Sequence, residues 1–373
     1  MPTTAPERLV PELFATAGVA VNGAQPWDIQ VHHDGFFKRL AAGGSMALGE
    51  SYMDGWWDCD ALDQFFDRIL RFSLDRKARK SIKSLWCGIK AVCTSSPGSW
   101  RAFTIGRRHY DIGNELFALM LDPWMNYSCA YWQEAGGLDE AQEAKMDLIC
   151  RKLKLQAGMR LLDIGCGWGG LAAYAAQHYG VEVLGITVSR EQQKLARQRC
   201  QGLPVRIELM DYRDVKETFD RIVSVGMFEH VGVFRYRTFM RTIRRCLSAD
   251  GLFLMQTIAG NRSVRRCDPW ISRYIFPNSM LPSSRQIASA AEKRLFLEDW
   301  HSFGPDYDRT LMAWHRNFVA NWHRIRQAYD GRFFRMWTYY LLSCAGSFRA
   351  RRNQLWQIVF SKNGVRPRYL SVR

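Results

Sequence analysis

Nowhere does the 373-residue sequence offer an uninterrupted apolar run of the roughly 18 residues that a membrane-spanning helix requires. Its first residues, Met1-Pro2-Thr3-Thr4-Ala5-Pro6-Glu7-Arg8, lack the charged-then-apolar layout of a secretory signal. The ten cysteines, at positions 59, 87, 93, 129, 150, 166, 200, 246, 267 and 344, contain no C-x-x-C pair. That spacing argues against both a disulfide framework and a thiolate zinc site, and for reduced thiols in a soluble, cytoplasmic protein. The eight histidines supply no H-x-x-x-H pair with a carboxylate, so no metal is expected. Repeats and low-complexity tracts are also missing.

Acidic side chains are the scarcer sign, 36 against 52 basic, which leaves a net charge of +16. The shortage is uneven: residues 1–96 hold 11 of each sign, so residues 97–373 carry the entire excess. A basic balance of this size calls for an anionic partner, nucleic acid or an anionic lipid surface, and composition does not choose between them. Apolar residues at 47% and charged residues at 24% are ordinary globular usage, and the length suggests about two domains. The best linker is Cys93-Thr94-Ser95-Ser96-Pro97-Gly98-Ser99, which divides the chain into domains 1–96 and 97–373. Residues 61–93 read as helical.

Beyond Gly158 the pattern alternates. Strands are expected at 160–164, 181–187, 205–209, 221–225 and 252–258, and helices at 170–179, 190–200 and 235–247. Short apolar strands between helices of 10–15 residues predict an α/β, doubly wound parallel sheet, with ligands at the carboxyl ends of its strands. The first of these strands runs into Asp163-Ile164-Gly165-Cys166-Gly167-Trp168-Gly169-Gly170. Gly165, Gly167 and Gly170 satisfy the dinucleotide template G-x-G-x-x-G. Asp163 with Gly165, Gly167 and Gly169 satisfies the D-x-G-x-G-x-G of S-adenosylmethionine-dependent methyltransferases, and a plain strand-to-helix turn is the ordinary reading of either. A nicotinamide site places an acid about 20 residues on, where this chain has Gly185-Ile186-Thr187-Val188-Ser189. No Walker lysine follows the loop, so the methyltransferase template leads.

Further segments are more specific. They include Gly49-Glu50-Ser51-Tyr52-Met53-Asp54-Gly55-Trp56-Trp57, His109-Tyr110-Asp111-Ile112-Gly113-Asn114 and Tyr127-Ser128-Cys129-Ala130-Tyr131-Trp132. Phe228-Glu229-His230-Val231-Gly232, Tyr274-Ile275-Phe276-Pro277, Asp306-Tyr307-Asp308 and Cys344-Ala345-Gly346-Ser347-Phe348-Arg349 follow in order. Through these the chain resembles, nearly end to end, the bacterial cyclopropane-fatty-acyl-phospholipid synthases, which count the mycolic acid cyclopropane synthases among their relatives. The resemblance implies a class I, Rossmann-like methyltransferase domain with a small, mainly helical amino-terminal domain that engages lipid and forms a homodimer. The reaction it implies places the methylene of S-adenosylmethionine on a cis double bond of a phospholipid acyl chain, forming a cyclopropane ring through a carbocation that bound bicarbonate deprotonates.

The same resemblance assigns the site. Cofactor contacts fall on Tyr127, Ser128, Asp163, Gly165, Cys166, Gly167, Trp168, Gly169, Thr187, Ser189, Gln192, Tyr212 and Arg213. The bicarbonate surroundings fall on Cys129, Glu229, Gln256, Tyr307 and the backbone of Ile258, and an active-site cysteine on Cys344. Where the family usually has Leu-His-Thr-Ile, this chain reads Met255-Gln256-Thr257-Ile258; glutamine can hydrogen-bond an anion but does not titrate near neutrality. That departure keeps a sibling reaction open, one giving a methyl- or methylene-branched chain. Taken singly, Glu229 reads as a helix cap, Cys129 and Cys344 as buried thiols, and Tyr307 as a core tyrosine. The basic runs Arg235–Arg245 and Arg262–Arg266 read as a solvated face or as attraction to anionic headgroups; nucleic acid has no recognition module here. The expected location is the cytoplasm, peripherally on the inner membrane.

Overall fold

Seven strands of the chain pair into a single sheet in the computed structural model, which describes residues 5–72 and 113–373. The strands are β1 (Arg160–Ile164), β2 (Glu182–Thr187), β3 (Val205–Leu209), β4 (Phe219–Val225), β5 (Leu247–Gly260), β6 (Phe296–Ser302) and β7 (Asn353–Ser361). Their order is β3-β2-β1-β4-β5-β7-β6. Pairings from β3 through β5 are parallel, whereas β6 and β7 are antiparallel to each other. The order reverses at β1, whose two neighbours are β2 and β4; the crevice above that reversal is where a doubly wound sheet takes its ligand.

Side chains alternate along these strands, and each face acquires its own core. Leu162, Ile186, Ile222, Phe253, Met255, Ile358 and Phe360 pack with Phe239, Met240 and Ile243 of the helix Tyr236–Cys246. Leu161, Val183, Val223, Leu254 and Val359 face the other way, against Met146 and Ile149 of the helix Leu138–Lys152 and Leu171 and Ala175 of the helix Gly170–Tyr179. The expected strands and helices stand within a few residues of their sequence bounds, β5 being longer at both ends. Strands β6 and β7 were not foreseen. They add an antiparallel edge to the expected parallel sheet, as β7 buries Leu355-Trp356-Gln357-Ile358-Val359-Phe360 beside β5.

The described residues form two compact units. One holds the sheet, in residues 113–267, 278–310 and 354–373; the other holds residues 5–72, 268–277 and 311–353. The sequence division at 96/97 had put all of 97–373 in one domain, so two later segments group instead with the amino-terminal residues. The reason is apolar packing within that second unit. Its helix Gly331–Arg349 lies so close to the helix Leu62–Arg71 that a β-carbon at Gly346 would stand 2.4 Å from the Asp63 carbonyl oxygen. Arg349 Nη1 meets Asp63 Oδ2 at 2.6 Å, and Trp57, Phe65, Trp270 and Trp337 are almost fully buried around them. The linker at 93–99, residues 109–112 and most of the expected helix at 61–93 lie outside the described residues.

Candidate active site

The turn after β1 is governed by backbone. Gly165, Gly167 and Gly169 have φ of 84°, 56° and 81°, the left-handed region that L side chains rarely adopt. A β-carbon on Gly170 would fall 2.2 Å from the Trp124 carbonyl oxygen, whereas one on Gly167 would meet nothing within 4 Å. Three glycines are thus fixed by torsion and the fourth by close packing, and the space over Gly167 stays open to a ligand. Trp168 is buried; its indole donates to Asn114 Oδ1 at 3.0 Å and lies 4.9 Å from the Phe117 ring, itself 5.0 Å from that of Tyr127. The Cys166 thiol is pushed up well above its ordinary value by burial and then by Asp163, so it stays protonated.

Asp163 stands near the end of β1, 2% exposed, and its Oδ2 has no hydrogen-bond partner. Burial raises its carboxyl well above the ordinary range, and Lys145 opposes that rise. Lys145 is equally buried, and burial depresses its ammonium. Its Nζ donates to Asn126 Oδ1 at 2.8 Å and to Ser128 Oγ at 3.1 Å, while Gln142 Nε2 donates to the Ser128 carbonyl at 2.9 Å. Sequence reasoning missed Lys145, Asn126 and Gln142. The available signal was polarity in an apolar stripe, since Gln142 and Lys145 share the buried face of their helix with Met146 and Ile149.

At the end of β2, Thr187 Oγ1 donates to Gln192 Oε1 at 2.8 Å, and Ser189 Oγ accepts the Gln192 amide as the cap of the helix Arg190–Arg199. These three expected contacts satisfy one another in a buried cluster. Arg213 is likewise engaged, held through two nitrogens at 2.7 Å by Asp211, while the Tyr212 hydroxyl is buried without a partner.

Beyond β4 the chain makes a short turn, Phe228–His230, that buries Glu229 to 4% exposure. Its Oε1 accepts the Ile258 amide at 2.6 Å, and its Oε2 has no partner. Burial lifts the carboxyl to about 7, against hydrogen bonds from its own amide, the Ile258 amide and the Thr257 side chain that favour the anion. Neighbouring His230 is driven down to about 4 by burial and is neutral at pH 7. Gln256, opposite Val225 on the adjacent strand, donates to the Cys129 carbonyl at 3.2 Å and accepts from Gln357 Nε2 at 2.9 Å. The Cys129 thiol is raised well above its ordinary value, first by burial and then by Asp306.

Cys129, Glu229, Gln256 and Ile258 are therefore brought together, and the segment 126–129 joins them to Asp163 through Lys145. Tyr307 is buried in the first turn of the helix Pro305–Ile325. Its neighbours Asp306 and Thr310 grip the same loop, Asp306 taking the Trp132 amide at 2.7 Å and Thr310 the Ala130 amide at 3.2 Å. Cys344 belongs to the other unit, half-buried on the helix Gly331–Arg349. Gln357 and Thr310 were not foreseen, and Asp306 was noticed only as part of the segment around Tyr307; only folding brings them to residues so distant in sequence.

A sheet in this order, with D-x-G-x-G-x-G turning from its first strand at the reversal of strand order, defines an S-adenosylmethionine-dependent methyltransferase. Comparison with known proteins narrows the class. The family model described as Mycolic acid cyclopropane synthetase matches residues 99–358, and the chain belongs to that family. It is 53% identical to the Cyclopropane-fatty-acyl-phospholipid synthase of Escherichia coli (strain K12), over 96% of this chain and 95% of that protein. It is 32% identical to the Tuberculostearic acid methyltransferase UfaA1 of Mycobacterium tuberculosis, over 94% of this chain and 88% of that one. Among solved structures, mycolic acid cyclopropane synthase CmaA1 complexed with SAH and CTAB matches with a TM-score of 0.65 and 34% identity, covering 70% of this chain and 98% of that one.

Proposed function

We propose that this enzyme adds the methylene of S-adenosylmethionine across a cis double bond in an acyl chain of a membrane phospholipid, giving a cyclopropane ring. One observation carries the reading: a buried carboxyl with a free oxygen, Glu229, follows the carboxyl end of β4, tied to the Ile258 amide of β5, as the glycine turn follows the carboxyl end of the neighbouring parallel strand β1. S-adenosylmethionine, when bound, supplies an electrophilic methyl carbon, and bicarbonate supplies a base that does not come from a side chain.

The residues fit both groups. The glycine turn and the free Oδ2 of Asp163 suit a nucleoside and its amino-acid arm, with Tyr127, Ser128, Trp168, Thr187, Ser189, Gln192 and the Tyr212-Arg213 turn around them. The free Oε2 of Glu229 suits the hydroxyl of bicarbonate, with Cys129, Gln256, Ile258 and Tyr307 completing its surroundings. Gln256 spends one amide hydrogen on Cys129 and its oxygen on Gln357, leaving a second hydrogen for an anion.

What the protein itself contributes is position and dryness. An isolated alkene is a weak nucleophile, so holding the reacting carbons in line supplies most of the acceleration. Aromatic faces near the developing cation, such as Phe228 stacked on Tyr236 at 4.1 Å beside Glu229, stabilise it at roughly 0.5–2 kcal/mol each. Neither cysteine of the expected site is needed as a nucleophile. Cys129 in particular is held protonated, and its carbonyl, not its sulfur, joins the cluster.

A branched-chain product is the second reading, favoured by Gln256 standing where the family usually has histidine. One experiment separates the two. The protein is incubated with S-adenosylmethionine and vesicles of monounsaturated phosphatidylglycerol and phosphatidylethanolamine, and the acyl chains are analysed by mass spectrometry and proton NMR. A gain of one CH2 with upfield cyclopropyl protons and loss of vinyl signals is expected. A methyl or exocyclic methylene signal supports the branched reading, and unchanged lipid overturns both.

A further inference from the structure

Away from the glycine turn, the sheet-bearing unit has a groove of about 620 Å³ between the segment 233–237, the loop 263–265 and the start of the helix Ser284–Ala291. Arg237, Arg265 and Arg285 line it, and no carboxylate does. All three are exposed, and among the described residues none has an ion-pair partner. Arg244 and Arg245, which follow Arg237 on the helix Tyr236–Cys246, are instead tied to backbone carbonyls. Arg244 is spent on the carbonyls of Arg294 and Lys362, and Arg245 on those of Arg213 and Val215.

The groove is built rather than incidental. Ser263 Oγ lies 2.8 Å from Ser283 Oγ, and Gln286 Nε2 donates to the Val264 carbonyl at 3.1 Å, so two hydrogen bonds hold the loop to the helix start. Two large apolar side chains project beside the arginines, Phe234 at 79% exposure and Val264 at 41%. Tyr236, which also lines the groove, is 2% exposed and has a hydroxyl without a partner; its ring is the one stacked on Phe228, the residue before Glu229.

We propose that this groove is where the catalytic unit docks on an anionic phospholipid bilayer, the three guanidiniums on lipid phosphates and Phe234 and Val264 in the headgroup–acyl boundary. Guanidinium forks match phosphate oxygens, and a cationic rim around exposed apolar side chains is the pattern of an interfacial anchor. The inference rests on the lipid reading above. The stacked rings of Tyr236 and Phe228 stand between the groove and the turn that carries Glu229.

The test is vesicle co-sedimentation of the full chain with phosphatidylcholine vesicles, with and without 30 mol% phosphatidylglycerol. Its companion readout is carbon transfer to detergent-dispersed phospholipid. Removing three phosphate contacts, in R237Q/R265Q/R285Q, is expected to lower partitioning onto anionic vesicles about a hundredfold. Transfer in detergent should persist, and F234S should weaken binding to both vesicle types. Should the triple variant fail to fold, R285E alone is expected to cost about tenfold or more. Unchanged partitioning of these folded variants overturns the proposal, as does loss of oligonucleotide binding with vesicle binding intact. Vesicle binding that needs the arginines in a protein that transfers no carbon to any lipid would uphold the docking and sink the lipid reaction.

Discussion

The glycine turn after β1 and the Glu229 turn after β4 stand at the ends of neighbouring strands, yet they are made by opposite means. The first is a matter of backbone: positive φ at Gly165, Gly167 and Gly169 and a 2.2 Å limit at Gly170 shape a turn with open space over Gly167. The second is a matter of burial, because Glu229 holds a carboxyl that its surroundings lift to about 7. One site is shaped by what has been removed from side chains, the other by what encloses one.

That contrast breaks most directly at Glu229. Glu229→Gln keeps the shape and removes the ionisable group, and is expected to lower kcat about a hundredfold or more while cofactor affinity holds, measured by single-turnover transfer and calorimetry. A cofactor affinity that fell in parallel would mean the two turns are one device. Activity of the parent protein should rise with pH through an inflection near 7 as Glu229 ionises, and the variant should lack that inflection. Stability moves the other way. The native carboxyl holds its proton up to about 7 whereas the unfolded one releases it near 4.5, so the folded state binds more protons in between. Its stability should therefore decline as pH rises across that window, and Glu229→Gln should flatten the decline in chemical denaturation.

Gly170→Ala strikes the other side. The added methyl collides with backbone, which cannot swing aside as a side chain would, and overpacking of this kind costs about 1–3 kcal/mol. Thermal unfolding should fall accordingly and cofactor affinity should weaken, with chemistry on bound substrate little changed. Lys145→Met sharpens the link between the turns by leaving Ser128 and Asp163 without their buried cation. A loss of about tenfold or more in cofactor affinity is expected, from charged hydrogen bonds of about 1.5–3 kcal/mol. Thr187→Val is the mildest, removing one hydrogen bond to Gln192 for about 1 kcal/mol and a few-fold rise in KM for the cofactor. An effect larger than that of Lys145→Met would reverse the assigned importance of the two clusters.

The same contrast governs what could be read in advance. Apolar segments punctuated by glycine disclosed β1 to β5 and their helices, because burial on both faces writes itself into consecutive residues. Strand β6 escaped notice: Phe296-Leu297-Glu298-Asp299-Trp300-His301-Ser302 mixes acids and aromatics as an edge strand does, with no clean period. Gln256 was noticed as a departure from histidine, but its tie to Gln357 was not, since 101 residues separate them. Thr187, Ser189 and Gln192 were rightly placed at the end of β2, yet their hydrogen bonds to one another appear only once the chain has turned into its helix. The basic runs were visible as charge alone; folding sorted Arg244 and Arg245 into carbonyl ties, left Arg237 and Arg265 bare, and set Arg285 from outside those runs beside them.

By itself, then, the order of residues determined the five parallel strands, the glycine turn and the kind of chemistry, because glycine torsions and apolar periodicity act over a few neighbouring positions. Only the tertiary structure decided which carboxyls are buried with a free oxygen, that Lys145 stands beside Asp163, and that residues 268–277 and 311–353 pack with the amino-terminal helices. Desolvation and long-range packing depend on everything that surrounds a group, and no local stretch of sequence contains its own surroundings.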